Sequence, residues 1–498
     1  MRQTYTSIFF SIITISLALF IYALSNTDLY GSVKSSAFTL NTILLVVYLL
    51  LQIIQVRNLE PRKWLLNPVI VCSIVTFLLS YGISNILYII SPDSDLMKKI
   101  DVVPGITESM NKLMFMVIVG AVALWSGYWF NNNKIINTDA LLVRLANHVF
   151  KRDPKPKTWI IYILFVLSLI SRIFAIKLGL YGYATISYEY ALDNANYSQY
   201  ISYISSFGKF VLLVASIEYY SSKSLVFKNI MYISLIIEII FGLLTGYKSN
   251  VIMPYIIVQI IRYFCTGVIS IKSFIILPVL FTLAYGIIEP FRLDKNNAVG
   301  TVFSLTDIVD SMAKNANLSS ESDKEKAPML FNLFYRFNYT FVGAEGVSFA
   351  DAYEELPVGS PDFLTDILVA PFYALIPRFL WEEKRIDDLG LWYTHEVLGV
   401  KHNTFTAMGP ITHLYFAGGL VGVALGFFCI GILQRVFLTA IRPWFRADRS
   451  VVFFGMLGVL SVGEYQINSI VVSLFRDLPL LLIIVSVVYK EAFPVIRL

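Results

Sequence analysis

Cations stand where apolar sequence breaks. In ALIPRFLWEEK, residues 374–384, Arg378 follows Pro377 inside an aromatic, apolar run. Arg336 sits in MLFNLFYRFNYTF, Arg292 follows IIEPF, and Lys248 follows LLTGY. The planar guanidinium fork matches the oxygens of a phosphate or pyrophosphate, and lysine supplies a point charge. A lone arginine at such a boundary is an interfacial anchor; several on one side suit a lipid-borne anion. A second set lies within apolar stretches: Arg172 and Lys177, Lys209, Glu464, and Arg476 with Asp477. Ionisable groups at membrane depth are costly, so they mark substrate paths unless they snorkel or pair with one another. For proton transfer, His395, His402 and His413 follow Arg378. Imidazole can act as a base near neutral pH. Glu345, Asp351 and Glu464 are alternative bases. Ordinary loop or interface roles for these histidines are the alternative.

The elements that must position these groups are membrane helices. The chain is 57% hydrophobic and 15% charged, whereas soluble domains are about a quarter charged. Apolar runs of roughly 18–22 residues recur, the length that crosses about 30 Å of hydrocarbon as a helix. Backbone groups in lipid must bond within their own segment, which favours helices. About twelve spans are expected, near residues 8–24, 37–54, 67–90, 112–130, 159–178, 201–220, 229–246, 251–265, 274–288, 410–438, 450–464 and 470–489.

Alternate loops are rich in Lys and Arg, including 57–63, 134–157, 223–228, 262–272 and 435–449. The positive-inside rule makes these cytoplasmic and places both termini inside. Three regions are therefore expected: spans one to nine in 1–288, a large extracytoplasmic segment over 289–409, and spans ten to twelve in 410–498. The central segment holds a polar stretch, NANLSSESDKEKAP, and short interfacial or re-entrant helices. One face of the segment around Arg336 repeats Leu330, Phe334, Phe337 and Phe341 at helical spacing, leaving Arg336 to point away from it. The N-terminal apolar run has no small-residue cleavage site and reads as a retained span.

Several classes are disfavoured. No GxGxxG, P-loop or His/Cys metal spacing occurs, so neither cofactor nor metal is expected. The three cysteines, Cys72, Cys265 and Cys429, read as packing residues. A net charge of +5 spread over inner loops gives no sign of nucleic acid. Asp28 is the lone acid after the first span, which fits poorly with lipid-phosphate sugar transferases that carry a catalytic acid there.

The C-terminal third then carries a resemblance. APFYALIPRFLWEEK, KHNTF and GPITHLYFAGGLVGVALGFFCIG together resemble the Wzy-type O-antigen and oligosaccharide repeat-unit polymerases, in which an Ile/Leu-Pro-Arg-x-x-Trp run precedes a Gly-rich span. TGYKSNVIMP fits that family's Gly-x-Arg/Lys turn, and His402–Asn403 is similar to the motif of the related O-antigen ligases, which implies His402 as the base, with Glu345 and His413 in reserve. His413 stands where the family often has an acid. The resemblance implies a GT-C-type fold in the bacterial cytoplasmic membrane and metal-independent glycosyl transfer at its outer face. Donor and acceptor would be undecaprenyl-pyrophosphate-linked glycans, with membrane lipid as surroundings and room for a chain-length regulator as partner. Lys248, Arg292, Arg336, Arg378, Arg172 and Glu464 would bind pyrophosphate or substrate. Tyr-rich outer sequence such as YGYATISYEYALDNANYSQY would hold sugars, unless it serves only as an interfacial aromatic belt. The competing readings are a ligase-like glycosyltransferase and a lipid-linked oligosaccharide flippase. A flippase should show related halves and a central charged cavity; here the charges crowd outward and one loop dominates.

Overall fold

The computed structural model describes residues 2–26, 31–61, 64–90, 105–130, 155–182, 194–268, 338–353, 356–376, 389–400, 405–441, 447–463 and 466–489, with scattered positions in 270–288 and 380–381. Regular elements among them are helical, joined at one point by an isolated antiparallel bridge between Pro156 and Tyr489. Nine helices among the described residues are long and apolar enough to cross a membrane, and the chain is a multi-pass membrane protein. They coincide with the expected spans 8–24, 37–54, 67–90, 112–130, 159–178, 201–220, 229–246, 410–438 and 470–489.

The other three expected spans fall outside that set. Residues 251–265 lie in a helix, Lys248–Thr266, whose polar first turn dilutes its apolar content. Residues 450–464 correspond to Ala447–Leu460, a helix of 14 residues, too short to span hydrocarbon unaided. Of 274–288, residues 275–281, 284 and 288 are described, with helical geometry over 276–281.

The first half of the chain builds a core around one helix. The helices α1 (Arg2–Ser25) and α2 (Gly31–Leu59) lead to α3 (Pro68–Cys72), which Asn67 caps by accepting from the Val69 amide at 3.2 Å. From there the chain runs as a π-helix over Ser73–Ile83 and returns to α over α4, Ser84–Ile90. The most enclosed span is α5, Ile106–Phe130, packed by α1, α2 and the C-terminal part of the fold.

The second half-bundle consists of α6 (Thr158–Lys177), α7 (Ala195–Ser222), α8 (Leu225–Thr245) and α9 (Lys248–Thr266). Gly246 and Gly267 end α8 and α9 in the left-handed region, where a side chain would be strained. Three short elements follow in the 289–409 segment: α10 (Thr340–Ala352), α11 (Phe363–Leu375) and α12 (Leu389–Trp392), the last continuing as a π-turn over Tyr393–Val397. The chain then enters α13 (Gly409–Ile441), α14 (Ala447–Leu460), α15 (Ile467–Val472), a π-turn over Ser473–Asp477, and α16 (Leu478–Val488).

Helix α13 is not one rod. Gly418 and Gly419 leave helical geometry, and Gly419 adopts φ +59° with ψ −148°, a region open to glycine alone. The residues before the break fold back on those after it, since a Cβ on Gly422 would lie 2.5 Å from the Leu414 carbonyl oxygen. The Gly-rich run expected to be a plain span is therefore a short helix turned against a long one.

Beyond that break α13 and α5 meet backbone to backbone. A Cβ on Gly127 would clash with the Phe428 carbonyl, and one on Gly431 with that of Leu124. Small residues let membrane helices approach this closely. Gly127→Leu is expected to destabilise the protein by about 1–3 kcal/mol or more, read as a fall in thermal midpoint in detergent. An unchanged midpoint would mean that the crossing yields freely.

Candidate functional site

The site grows from three polar positions on three helices. SRIFAIK at the end of α6 presents Arg172, SYISSFGKF in α7 presents serines and Lys209, and SLIIEIIF in α8 presents Glu238. Arg172 Nη2 donates to Glu238 Oε1 at 2.6 Å and to the Ser205 carbonyl at 2.9 Å. Arg172 and Glu238 are each only 4% exposed, so the pair is desolvated. The guanidinium also rests over the Phe241 ring, 5.1 Å from its centroid. Gly208 makes the room: a Cβ there would clash with Glu238 and lie 2.7 Å from Arg172 Nη2. Ser168 and Ser171 tie α6 to α7 through the Ser205 and Ile201 carbonyls at 3.0 and 2.9 Å.

Above the pair lies a cavity of about 230 Å³, bounded by α6, α7, α8, the turn at 180–182 and the start of α9. Arg172 and Glu238 form its buried floor; Lys209, Ser202, Ser206 and Tyr247 are exposed at its mouth. Lys209 Nζ donates to Asn250 Oδ1 at 3.2 Å, and Asn250 Nδ2 donates to Thr245 Oγ1 at 3.2 Å. Burial pushes the Tyr181 phenol up to about 12 despite the opposing pull of Arg172, so it is a hydroxyl donor at any physiological pH. Tyr247 shifts upward for the same reason. The first turn of α9 adds the positive end of its dipole, and Asn250 of that turn lines the cavity. Arg476 is 5.1 Å from the Tyr203 ring of α7 and pairs with Asp477 at 2.9 Å.

The opposite end of this half-bundle is fixed by the bond from the Lys157 amide to the Val488 carbonyl, 2.9 Å. Lys157, at the start of α6, and the end of α16 thus lie at one end, and the cavity lies towards the other.

A second cluster forms where α5, α10 and α13 begin to pack. Lys112 Nζ reaches Asp351 Oδ2 at 2.6 Å and lies 5.2 Å from the Tyr415 ring, while Tyr415 donates to Asp351 Oδ1 at 2.5 Å. Deeper in, the Tyr393 hydroxyl donates to the Val342 carbonyl. Burial, with Glu345 and Tyr81 nearby, raises that phenol well above its ordinary range.

Of the expected site residues, Arg172 lines the cavity, and Lys248 lies beside it, buried on the first turn of α9. Glu345 and His413 belong to the second cluster. Glu345 is half-buried on α10. His413 is fully enclosed, 5.5 Å from the Phe363 ring centroid, and its two ring nitrogens have no hydrogen-bond partner among the described residues. At 0% exposure His413 reaches no surface in this structure. His402, Arg292, Arg336, Arg378 and Glu464 lie outside the described residues. Sequence reasoning passed over Glu238, although an acid within eight otherwise largely apolar residues is itself a signal. It also passed over Lys112 and Asn250. Among the described residues no group of three or more His, Cys, Asp or Glu is placed to hold a metal.

The fold and the cavity define a class: an all-helical multi-pass membrane protein, among its described residues, with a buried ion pair under a polar cavity. Residues 154–492 match the family described as a domain of unknown function, DUF8712, and the chain belongs to that family. The match spans the whole cavity. No curated protein and no solved structure matches the chain.

Proposed function

We propose that the protein polymerises undecaprenyl-pyrophosphate-linked oligosaccharide repeat units into a surface polysaccharide, such as the O-antigen of lipopolysaccharide. It acts at the outer face of the bacterial cytoplasmic membrane. On this reading the fold is of the GT-C type with about twelve spans, both termini are cytoplasmic, and 289–409 is extracytoplasmic. The observation that carries the reading is the gathering of Arg172, Lys209, Glu238 and the α9 N-terminus around one polar cavity, at the end of the half-bundle that the basic-loop pattern makes outer.

The chemistry asked of the protein is modest. Pyrophosphate is a good leaving group, so Arg378, Arg336, Arg292 and Lys248 need only stabilise its developing charge. His402, with Glu345 and His413 in reserve, takes the proton of the acceptor hydroxyl. The short helices of the 289–409 segment align the two lipid-linked partners.

Deletion of the gene tests the reading. A polymerase deletion is expected to leave surface glycan with a single repeat unit. Loss of all attached glycan would favour a ligase instead, and accumulation of the lipid-linked unit at the inner leaflet would favour a flippase.

A further inference from the structure

The cavity above Arg172 has a composition that selects among ligands. Among the described residues its two cations, Arg172 and Lys209, face one carboxylate, Glu238, which leaves a single positive charge uncompensated among them. Arg172 uses Nη2 for Glu238 and Ser205, whereas its Nη1 is buried without a hydrogen-bond partner among the described residues. A buried guanidinium nitrogen left unsatisfied is costly, and a carboxylate seated over the floor of the cavity is attracted by the same guanidinium. Lys209, at the mouth, and the start of α9 favour the same charge.

Glu238 sets the upper limit on that charge. In the floor of the cavity it repels a group carrying two or more negative charges, as a pyrophosphate does, yet it can accept from hydroxyls. The remaining polar wall is also of hydroxyl-matching kind: Ser202, Ser205, Ser206 and Asn250, with the Tyr181 hydroxyl, which donates to the Phe241 carbonyl at 3.5 Å, left as an acceptor. At about 230 Å³ the space falls below the roughly 300 Å³ at which pockets for drug-sized ligands begin. It suits one sugar ring and not an oligosaccharide.

We infer that this cavity binds a single monoanionic sugar residue, its carboxylate on Arg172 and Lys209 and its hydroxyls on the α7 serines and Asn250. The inference rests on the proposed glycan substrate for its biological meaning, and it separates Arg172 from the pyrophosphate-binding cations. Within the repeat unit it makes a uronic-acid type of residue the specificity determinant.

Ligand-observed saturation-transfer NMR on the purified full-length protein in detergent tests it, because that method registers millimolar binding and needs no glycosyl transfer. The probes are D-glucuronate, D-glucose and inorganic pyrophosphate. The expected result is saturation of D-glucuronate, at least fivefold weaker binding of D-glucose, no displacement by equimolar pyrophosphate, and at least fivefold weaker glucuronate binding in Lys209→Gln. Lys209 is exposed, so this variant leaves the buried pair in place. Stronger binding of pyrophosphate, equal binding of glucose and glucuronate, or no binding of any probe would each overturn the assignment. Glucuronate binding by a protein that forms no polymer would leave the cavity assignment standing and remove the polymerase reading alone.

Discussion

Glu238→Ala is expected to destabilise the protein by roughly 3–5 kcal/mol, the usual cost of stranding one partner of a buried ion pair. Arg172 is 4% exposed, and its Nη2 bond to Glu238 is 2.6 Å long. Without the carboxylate, a guanidinium remains on the buried floor of the cavity, over Phe241, with the Ser205 carbonyl as its remaining hydrogen-bond partner among the described residues. The double substitution Arg172→Met with Glu238→Leu is expected to recover most of that stability, since apolar side chains of similar volume replace buried pairs at little cost. The two effects separate architecture from function. The double variant should fold, as judged by thermal midpoint and gel filtration, yet lose the ligand that the cavity binds. A Glu238→Ala midpoint equal to that of the parent protein would mean that water reaches the pair and that its burial is not maintained in solution.

Arg378 is expected to be the most sensitive of the cations. Arg378→Lys keeps the charge but loses the fork that can hold two phosphate oxygens at once. Hydrogen bonds to charged groups contribute about 1.5–3 kcal/mol, so turnover should fall by roughly tenfold to a hundredfold. His402→Ala should remove the base and lower turnover by about 10²- to 10⁴-fold, with the protein inserted and stable in both cases. Turnover by Arg378→Lys within a factor of two of the parent rate would reduce this arginine to an interfacial anchor.

How much of this was legible in sequence differs by level. Span positions were legible because lipid imposes a length and a composition on a helix. The 251–265 segment was harder: Lys248, Ser249 and Asn250 belong to its first helical turn, and that turn serves the cavity and not the hydrocarbon. The break at Gly418–Gly419 was hidden for a different reason. GPITHLYFAGGLVGVALG is continuously apolar, and hydropathy cannot distinguish a glycine that packs from one that turns. At the site, Arg172 and Lys209 were flagged as charges in apolar context, but their partner on α8 was not. Pairing between helices 66 residues apart, as between Arg172 and Glu238, depends on how the spans pack, which a single sequence does not encode locally. Gly208 shows the same limit, since its small size matters only once Glu238 and Arg172 converge on it.

The two clusters also divide the work expected of the protein. The Arg172 cavity is suited to recognition, being small, polar and anchored by rigid helices. The region around α10, α11 and the start of α13 carries the Lys112–Asp351–Tyr415 network and Glu345. It is contiguous in sequence with Arg378 and His402, which is where the proposed glycosyl transfer would take place. Helix α11 packs against both α13 and the Ser473–Asp477 turn whose Arg476 meets Tyr203 of α7, which connects the two regions physically.

Reconstitution tests the central claim most directly. The purified protein in lipid nanodiscs would be supplied with the undecaprenyl-pyrophosphate-linked repeat unit that accumulates in cells deleted for it, without nucleotide sugar. The account predicts a ladder of glycans extended by whole repeat units, with release of undecaprenyl pyrophosphate, and loss of that ladder in His402→Ala and Arg378→Ala. Recovery of the unit unextended by a folded, correctly inserted protein, or its movement across a vesicle membrane with no new glycosidic bond, would contradict it.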